Sequence, residues 1–316
     1  MTFDLSHPSD RALRIIVGWD KTSPEGLQFA AWLARSLPVS VSLTSTAPRS
    51  WTKSLSRKKY EKWLSSETDK LTAGSLTALK EHLPRESWAE EPCTLIDAQA
   101  PSALAAEGRR VGADIIILNS SATMKQARFL ASSIADELMH SSPLPLGLAP
   151  KGLKLSKKGV TRVNFVFLRA ERDQDTSGLV CAARLAAHLQ VPLRLISVLP
   201  EVPSDVELDS VIGAAAEATD WYESSLSLLD LARDQAFEIA AAADPATAAE
   251  FEVETSLANG KGWEKAVSSV KWKKGDLICL GSHPTAQGRS VLVGSRASDF
   301  LRYAPAPVVI FPRLDA

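Results

Sequence analysis

The sequence predicts an α/β protein of two tandem Rossmann-like domains, each a parallel sheet with helices on both faces. Two observations predict it: the second half of the chain repeats the pattern of the first, and short apolar segments alternate with helical segments throughout. Strands that are apolar along their whole length are typical of parallel sheets covered on both faces. The 316 residues are enough for two domains of about 150 residues each.

Three pairs of segments carry the repeat. They are 26–34 with 178–186, 112–118 with 275–280, and 143–148 with 305–310. These pairs divide the chain into a tail (1–13), a first domain (14–150), a linker (151–160) and a second domain (161–313). We call the two domains copy 1 and copy 2. We expect the linker lysines to be solvated.

Each copy is predicted to follow the order βαβαβαβαβ. The strands predicted in copy 1 are 14–19, 39–45, 112–118 and 143–148, and those in copy 2 are 163–168, 191–199, 275–280 and 305–310. The helices predicted in copy 1 are 26–37, 60–78, 101–111 and 129–140. In copy 2 the first predicted helix begins at 178, and the others are 221–239, 262–270 and 295–303. Their apolar residues recur at helical spacing. In such sheets ligands bind beyond the carboxyl ends of the strands, where the strand order reverses.

Composition and charge exclude several classes of protein. Lys and Arg number 36 against 37 Asp and Glu, a formal net charge of -1, so electrostatics do not indicate a nucleic-acid or anionic-membrane partner. Three distant cysteines without a CxxC pair fit neither a disulfide framework nor a zinc site. We expect a buried, inert thiol at Cys279. No signal-peptide pattern or membrane-length apolar run is present, so we expect a cytoplasmic protein.

The loop from Gly281 to Ser295 has the character of an anion cradle. Glycines let backbone N–H groups approach a phosphate, and the helix start adds unpaired donors. Ser295 can cap the helix or give its hydroxyl to a phosphate oxygen, and Arg289 could supply charge. The alternative is a glycine-bearing loop that only turns the chain.

This loop resembles a family motif. The spacing Gly281-x2-Pro284-x9-Gly294-Ser295 is similar to the G-x2-G-x9-G-[ST] phosphate and ribose loop of the universal stress protein family. Residues 298–310 resemble that family's last helix and strand, and residues 15–20 resemble its first strand with a terminal aspartate. The resemblance covers 14–150 and 161–312. It implies five-stranded parallel sheets of order 3-2-1-4-5, a pairing of the two copies through their final strands, and an adenine nucleotide (ATP or AMP) as ligand, with Mg only alongside ATP.

The resemblance also implies the candidate site residues. In copy 2 the nucleotide-binding set is Gly281, Ser282, His283, Gly288, Arg289, Gly294, Ser295, Arg296 and Val198, the last through its backbone near the end of the second strand. In copy 1 a vestigial site would comprise Asp20, Asn119, Ser132 and Ser133. Capping of the next helix is the alternative role of Asp20, and a place on the loop surface is the alternative for His283.

Each copy departs from the family pattern. In copy 2, Pro284 stands at the second motif glycine and Arg169-Ala170 stands where copy 1 has Trp19-Asp20. In copy 1 all three motif glycines are missing. Because serine and alanine resist the positive φ that glycine allows, we expect an altered site there.

Three functions remain open. The first is a stress-response regulatory protein that binds nucleotide mainly in copy 2, where ligand would order the loop and change a surface seen by a partner. The second is a scaffold that acts through protein contacts alone, with an unnamed partner or as a homodimer. The third, an ATP-using enzyme, is disfavoured: no catalytic motif is present, and no acidic residue lies between Gly281 and Ser298 to hold a metal. We therefore expect no catalytic or metal-binding residues.

Overall fold

The computed structural model describes residues 11–19, 23–48, 56–89, 92–97, 100–121, 129–168, 176–201, 208–243, 249–283 and 290–313. The strands of copy 1 are β1 (Leu13–Trp19), β2 (Val39–Pro48), β3 (Cys93–Asp97), β4 (Ile115–Asn119) and β5 (Leu146–Ala149). Those of copy 2 are β6 (Arg162–Phe167), β7 (Leu193–Glu201), β8 (Val253–Lys261), β9 (Asp276–Gly281) and β10 (Val308–Phe311).

All ten strands form one sheet in the order β3-β2-β1-β4-β5-β10-β9-β6-β7-β8. Each half is parallel and has the order 3-2-1-4-5, so the predicted fold class is confirmed. The halves meet where β5 and β10 pair antiparallel, with Val309 opposite Gly147. This pairing covers an edge strand of each copy, which would otherwise expose unpaired backbone groups.

Eight α-helices whose bounds lie within the described residues cover the two faces, and a short 3-10 helix spans Arg85–Ser87. The first four are α1 (Glu25–Leu33), α2 (Arg57–His82), α3 (Ala100–Arg110) and α4 (Ser133–Leu138). The others are α5 (Ser177–Leu189), α6 (Leu208–Ala243), α7 (Gly262–Ser268) and α8 (Ser295–Leu301). Helices α1, α2, α5 and α6 contribute to one core cluster, and α3, α4, α7 and α8 contribute to the other. Successive residues of β1 alternate between the two clusters, as the pleat of a strand requires.

Four helices are shorter than the sequence predicts: α7 and α8 each end two residues early, and α4 and α1 differ by more. The helix expected over 129–140 begins at Ser133, because Ser132 is extended (φ -72°, ψ 168°) and the chain before it is held to the preceding loop. The helix expected over 26–37 ends at Leu33 and continues as a turn. No described helix is long and apolar enough to cross a membrane.

The linker between the copies is fixed to both of them. The hydroxyl of Ser36 accepts a hydrogen bond from Val160 N at 2.7 Å, and Arg35 donates to the carbonyl of Ser156 at 3.0 Å. Ser156 N in turn donates to the carbonyl of Lys274 in copy 2 at 2.9 Å. The side chains of Lys157 and Lys158 are exposed, as expected for solvated lysines.

Candidate functional site

The strand order reverses between β1 and β4 in copy 1 and between β6 and β9 in copy 2. The carboxyl ends of these strands are where a doubly wound sheet binds its ligand. The loop after β4 and the loop after β9 therefore form the two candidate sites, one in each copy.

The two loops close in the same way. In copy 2 the Ser282 hydroxyl accepts from Leu292 N at 3.3 Å, and His283 N donates to the Leu292 carbonyl at 2.7 Å. In copy 1 the Ser120 hydroxyl accepts from Leu130 N at 3.0 Å, and Ser121 N donates to the Leu130 carbonyl at 2.8 Å. In both copies the hydroxyl bond joins residues ten positions apart and the backbone bond joins residues nine positions apart. The loop framework of copy 1 is therefore kept despite its missing glycines.

Ser282 is part of this framework. Its buried hydroxyl lies 2.9 Å from the carbonyl oxygen of Phe311, at the end of β10, and 3.4 Å from that of Ser290. The hydroxyl therefore anchors the loop to the last strand. Sequence reasoning placed Ser282 in the nucleotide-binding set and missed this anchoring role, which depends on a residue 29 positions away.

Gly294 and Ser132 occupy equivalent positions before the last helix of each copy. Their backbone angles are nearly the same, with φ -76° and ψ 169° at Gly294 and φ -72° and ψ 168° at Ser132. Serine at 132 leaves the backbone here unchanged, because the position does not need a positive φ. Glycine at 294 instead satisfies a packing requirement: an added Cβ would lie 2.6 Å from Cδ2 of His283. His283 is half-buried against Gly294 rather than on the loop surface.

The first turns of the two last helices are capped differently. In copy 1 the Ser132 hydroxyl accepts from Ala135 N at 3.2 Å, which satisfies one of the unpaired amides of α4. In copy 2, Gly294 has no side chain that could cap α8, and Ser295 and Arg296 are exposed. Ser133 follows the cap in copy 1 as Ser295 follows Gly294 in copy 2. The start of α8 is therefore the more open of the two.

The first motif position separates the copies further. In copy 1, Asn119 ends β4, and its buried amide bridges two elements: its Oδ1 accepts from Gly26 N at 2.6 Å and its Nδ2 donates to the Gly18 carbonyl at 3.2 Å. The Asn119 side chain thus fills the space between β1 and the start of α1. In copy 2 the residue is Gly281, and an added Cβ on Gly178 of α5 would lie 2.6 Å from its Cα. Glycine lets these two backbones approach closely.

Arg296 and Val198 lie at the same edge of copy 2. The Arg296 guanidinium donates to the carbonyl of Leu168, just after β6, at 3.0 Å. It therefore spans the gap between the start of α8 and the end of β6. The Val198 side chain is buried in the core, which leaves only its backbone to face a ligand.

Several predicted residues lie outside the described residues. They are Asp20, Arg169, Ala170, Pro284, Gly288 and Arg289. Within the described ranges, no group of three His, Cys, Asp or Glu side chains could hold a metal ion. Cys279 is fully buried, and this burial raises the pKa of its thiol, so it is unreactive as expected.

The model of the universal stress protein family matches residues 12–149 and 172–312, one match in each copy. The chain belongs to this family. Universal stress proteins of Mycobacterium tuberculosis and Mycobacterium bovis are each 27% identical over 311 residues, covering 95% of this chain and 100% of theirs. The match therefore spans the whole length of these relatives and includes both copies of this chain.

Solved structures support the fold. The crystal structure of a universal stress protein from Archaeoglobus fulgidus covers 95% of this chain and 98% of its own, with a TM-score of 0.61 and 12% identity. A universal stress protein from the same organism, in complex with dAMP, covers 34% of this chain and 80% of its own, with a TM-score of 0.25 and 20% identity. The first likeness shows the fold, and dAMP is the ligand of the second protein.

Proposed function

We propose that this universal stress protein is a regulatory protein that binds an adenine nucleotide, ATP or AMP, in copy 2. The proposal rests on the difference between the loops after β4 and after β9, which are closed by equivalent hydrogen bonds. Asn119 and Ser132 fill the copy 1 site with side-chain hydrogen bonds, whereas Gly281 and Gly294 leave the matching positions of copy 2 without side chains.

The start of α8 would receive the phosphates. Its first-turn amides carry the partial positive charge of a helix N-terminus, and the Ser295 hydroxyl beside them is exposed. Arg296 would exchange the carbonyl of Leu168 for a phosphate oxygen, a stronger charge-assisted partner. Proline at position 284 has no N–H, and a lost hydrogen bond to a charged group weakens binding by about 1.5–3 kcal/mol. We therefore expect weak, exchangeable binding.

The chain would act by binding rather than by catalysis. No Asp or Glu lies between Gly281 and Ser298, so a Mg ion would arrive with ATP instead of being held by the loop. Ligand binding would order the loop and so change the surface presented to a partner protein.

Isothermal titration calorimetry of the full chain with ATP and with AMP tests this proposal. The informative variant is Gly294→Ala, because its Cβ would meet His283 at 2.6 Å. The matched control is Gly74→Ala in α2, where an added Cβ meets nothing within 4 Å. We expect Gly294→Ala to weaken binding at least about tenfold, the equivalent of about 1.4 kcal/mol, while Gly74→Ala binds as the wild type does. Equal affinities of the two variants would contradict the assignment.

A scaffold that acts through protein contacts is the second candidate. It is favoured by four large apolar side chains exposed on α6: Tyr222, Leu226, Leu231 and Phe237. Exposed apolar groups of this size are common at contact surfaces. The absence of heat with millimolar ATP or AMP would favour this candidate.

A further inference from the structure

Copy 1 makes a direct backbone contact with the candidate loop of copy 2. Val291 N donates to the carbonyl of Ser142 at 2.8 Å, and Val293 N donates to that of Met139 at 2.9 Å. Both valines are buried, and they immediately precede Gly294 and the start of α8. The segment that leads into the candidate site of one copy is thus held by the turn after α4 of the other.

Ser142 shapes that turn. Its side chain is fully buried, and its hydroxyl both donates to the Leu144 carbonyl at 2.8 Å and accepts from Leu144 N at 3.2 Å. Its own N–H donates to the Leu138 carbonyl at 2.8 Å. Pro143 and Pro145 flank this turn and restrict its backbone further. These bonds fix the direction of the carbonyls that receive Val291 and Val293.

The corresponding turn of copy 2 has the same prolines without the hydroxyl. Residues 142–145 read Ser-Pro-Leu-Pro, whereas residues 304–307 read Ala-Pro-Ala-Pro. The hydroxyl that fixes the turn therefore stands in copy 1, the copy that contacts the more open loop.

We propose that Ser142 is a positioning residue for the nucleotide site of copy 2. By fixing the turn at 139–142, it holds residues 291–293 in place and so orients the first amides of α8. The inference rests on the proposed function for its ligand, but the contact itself does not need a ligand. Because binding free energies are reciprocally linked, nucleotide in copy 2 would in turn stabilise this turn of copy 1. Copy 1 would thus be a platform that tunes the affinity of its partner domain.

Amide hydrogen exchange and calorimetry on the full chain test this inference. The variant is Ser142→Ala, and the control is Ser225→Ala, since Ser225 is another fully buried serine, bonded to the Ser197 hydroxyl at 2.9 Å on the other face of the sheet. We expect Ser142→Ala to speed exchange at Val291 and Val293 by about tenfold, the effect of losing roughly one hydrogen bond, and to raise the Kd for ATP. Ser225→Ala should leave both quantities unchanged even where it lowers Tm.

Each outcome decides something. Unchanged exchange at Val291 and Val293 in Ser142→Ala overturns the inference, and so does an equal increase in both variants, because that is general destabilisation. If the wild type binds neither ATP nor AMP while exchange rises only in Ser142→Ala, the proposed function fails and the positioning of the loop stands. If Ser142→Ala does not fold, the wild type serves: ATP should slow exchange at the amides of Ser142 and Leu144, and unchanged exchange overturns the inference.

Discussion

The loops after β4 and after β9 share one framework and differ in what fills it. Both are closed by a serine hydroxyl bonded ten residues away and by a backbone pair nine residues apart, and both lead into a helix through a residue with the same extended backbone. In copy 1 the side chains of Asn119 and Ser132 occupy these two positions, whereas in copy 2 Gly281 and Gly294 allow close contacts with Gly178 and His283. Loss of the motif glycines has not distorted the fold of copy 1, because the replacing side chains make hydrogen bonds of their own.

The largest expected effect concerns a buried carboxylate at the amino end of β9, where the two copies also differ. Asp276 is fully buried and accepts from Arg162 Nε at 2.9 Å, whereas its counterpart Asp114 pairs at 2.7 Å with Arg11, which is 47% exposed. We expect Asp276→Ala to lower the free energy of unfolding by about 3–5 kcal/mol, because the buried guanidinium groups of Arg162 and Arg194 both lose this carboxylate, while the exposed Glu254 still pairs with Arg162. Asp114→Ala should cost less, about 1–2 kcal/mol, because it removes the partner of an exposed arginine and the acceptor of the Arg14 N–H. Urea unfolding measures both, and similar losses would show that the copies are equally dependent on this pair.

Replacing Gly294 by serine, the residue at the equivalent position of copy 1, should block the proposed nucleotide site. Gly294→Ser places a Cβ against His283, and we expect a loss of about 1–3 kcal/mol in stability together with loss of ATP binding. The double variant with His283→Ser reproduces the Ser121 and Ser132 pair of copy 1. It removes the clash and lets serine cap α8, so stability should return while binding does not.

Calorimetry and thermal unfolding of these two variants separate packing from capping. If the double variant binds ATP as tightly as the wild type, a serine cap at this position does not block the site. Asn119 alone would then have to prevent nucleotide binding in copy 1.

Removing the bridge in copy 1 is a smaller perturbation. Asn119→Ala leaves the Gly26 N–H without its acceptor, and we expect a loss of roughly 1–2 kcal/mol. Gly26→Ala should also destabilise the wild type, since its Cβ would lie 2.8 Å from Asn119 Oδ1. A double-mutant cycle by urea unfolding should show that Gly26→Ala costs less once Asn119 is alanine. Additive losses would mean that the two residues do not share this space.

The smallest expected effect is a pH dependence in α3 of copy 1. Arg110 donates to Glu107 at 2.7 Å, and this hydrogen bond lowers the pKa of the Glu107 carboxyl. The pair therefore contributes its stability above the ordinary pKa of glutamate and loses it as pH falls through the lowered value. We expect Glu107→Gln to flatten the acid side of the stability curve by less than about 1 kcal/mol, since Arg110 is exposed. A Gln variant with the same acid slope as the wild type would contradict this role.

The sequence was sufficient for the fold because the repeat and the apolar strands are local signals. The helix predicted over 129–140 begins too early. Residues 129–132 are held by the hydrogen bond from Ser121 N to the Leu130 carbonyl, and the sequence does not reveal a bond between positions so far apart. The strand β8 (Val253–Lys261) is polar, so no apolar run in the sequence predicts it. The structure shows it by its parallel pairing with β7.

The candidate site divides in the same way. Motif spacing singles out Gly294 and Ser295, with Arg296 beside them, as candidates, and their role in binding a nucleotide stays a prediction. The contact of His283 with Gly294, the bridge made by Asn119 and the turn shaped by Ser142 could not be predicted, because each depends on a distance across the fold. Spacing also does not reveal that glycine at 294 satisfies a packing requirement against His283.

The number of nucleotides bound per chain shows whether copy 2 alone binds a nucleotide. Equilibrium dialysis of the full chain against labelled ATP should give one nucleotide per chain. That binding should be lost in Gly294→Ser and kept in Ser132→Ala, which alters only copy 1. Two nucleotides per chain, or one that is lost in Ser132→Ala, would contradict the account.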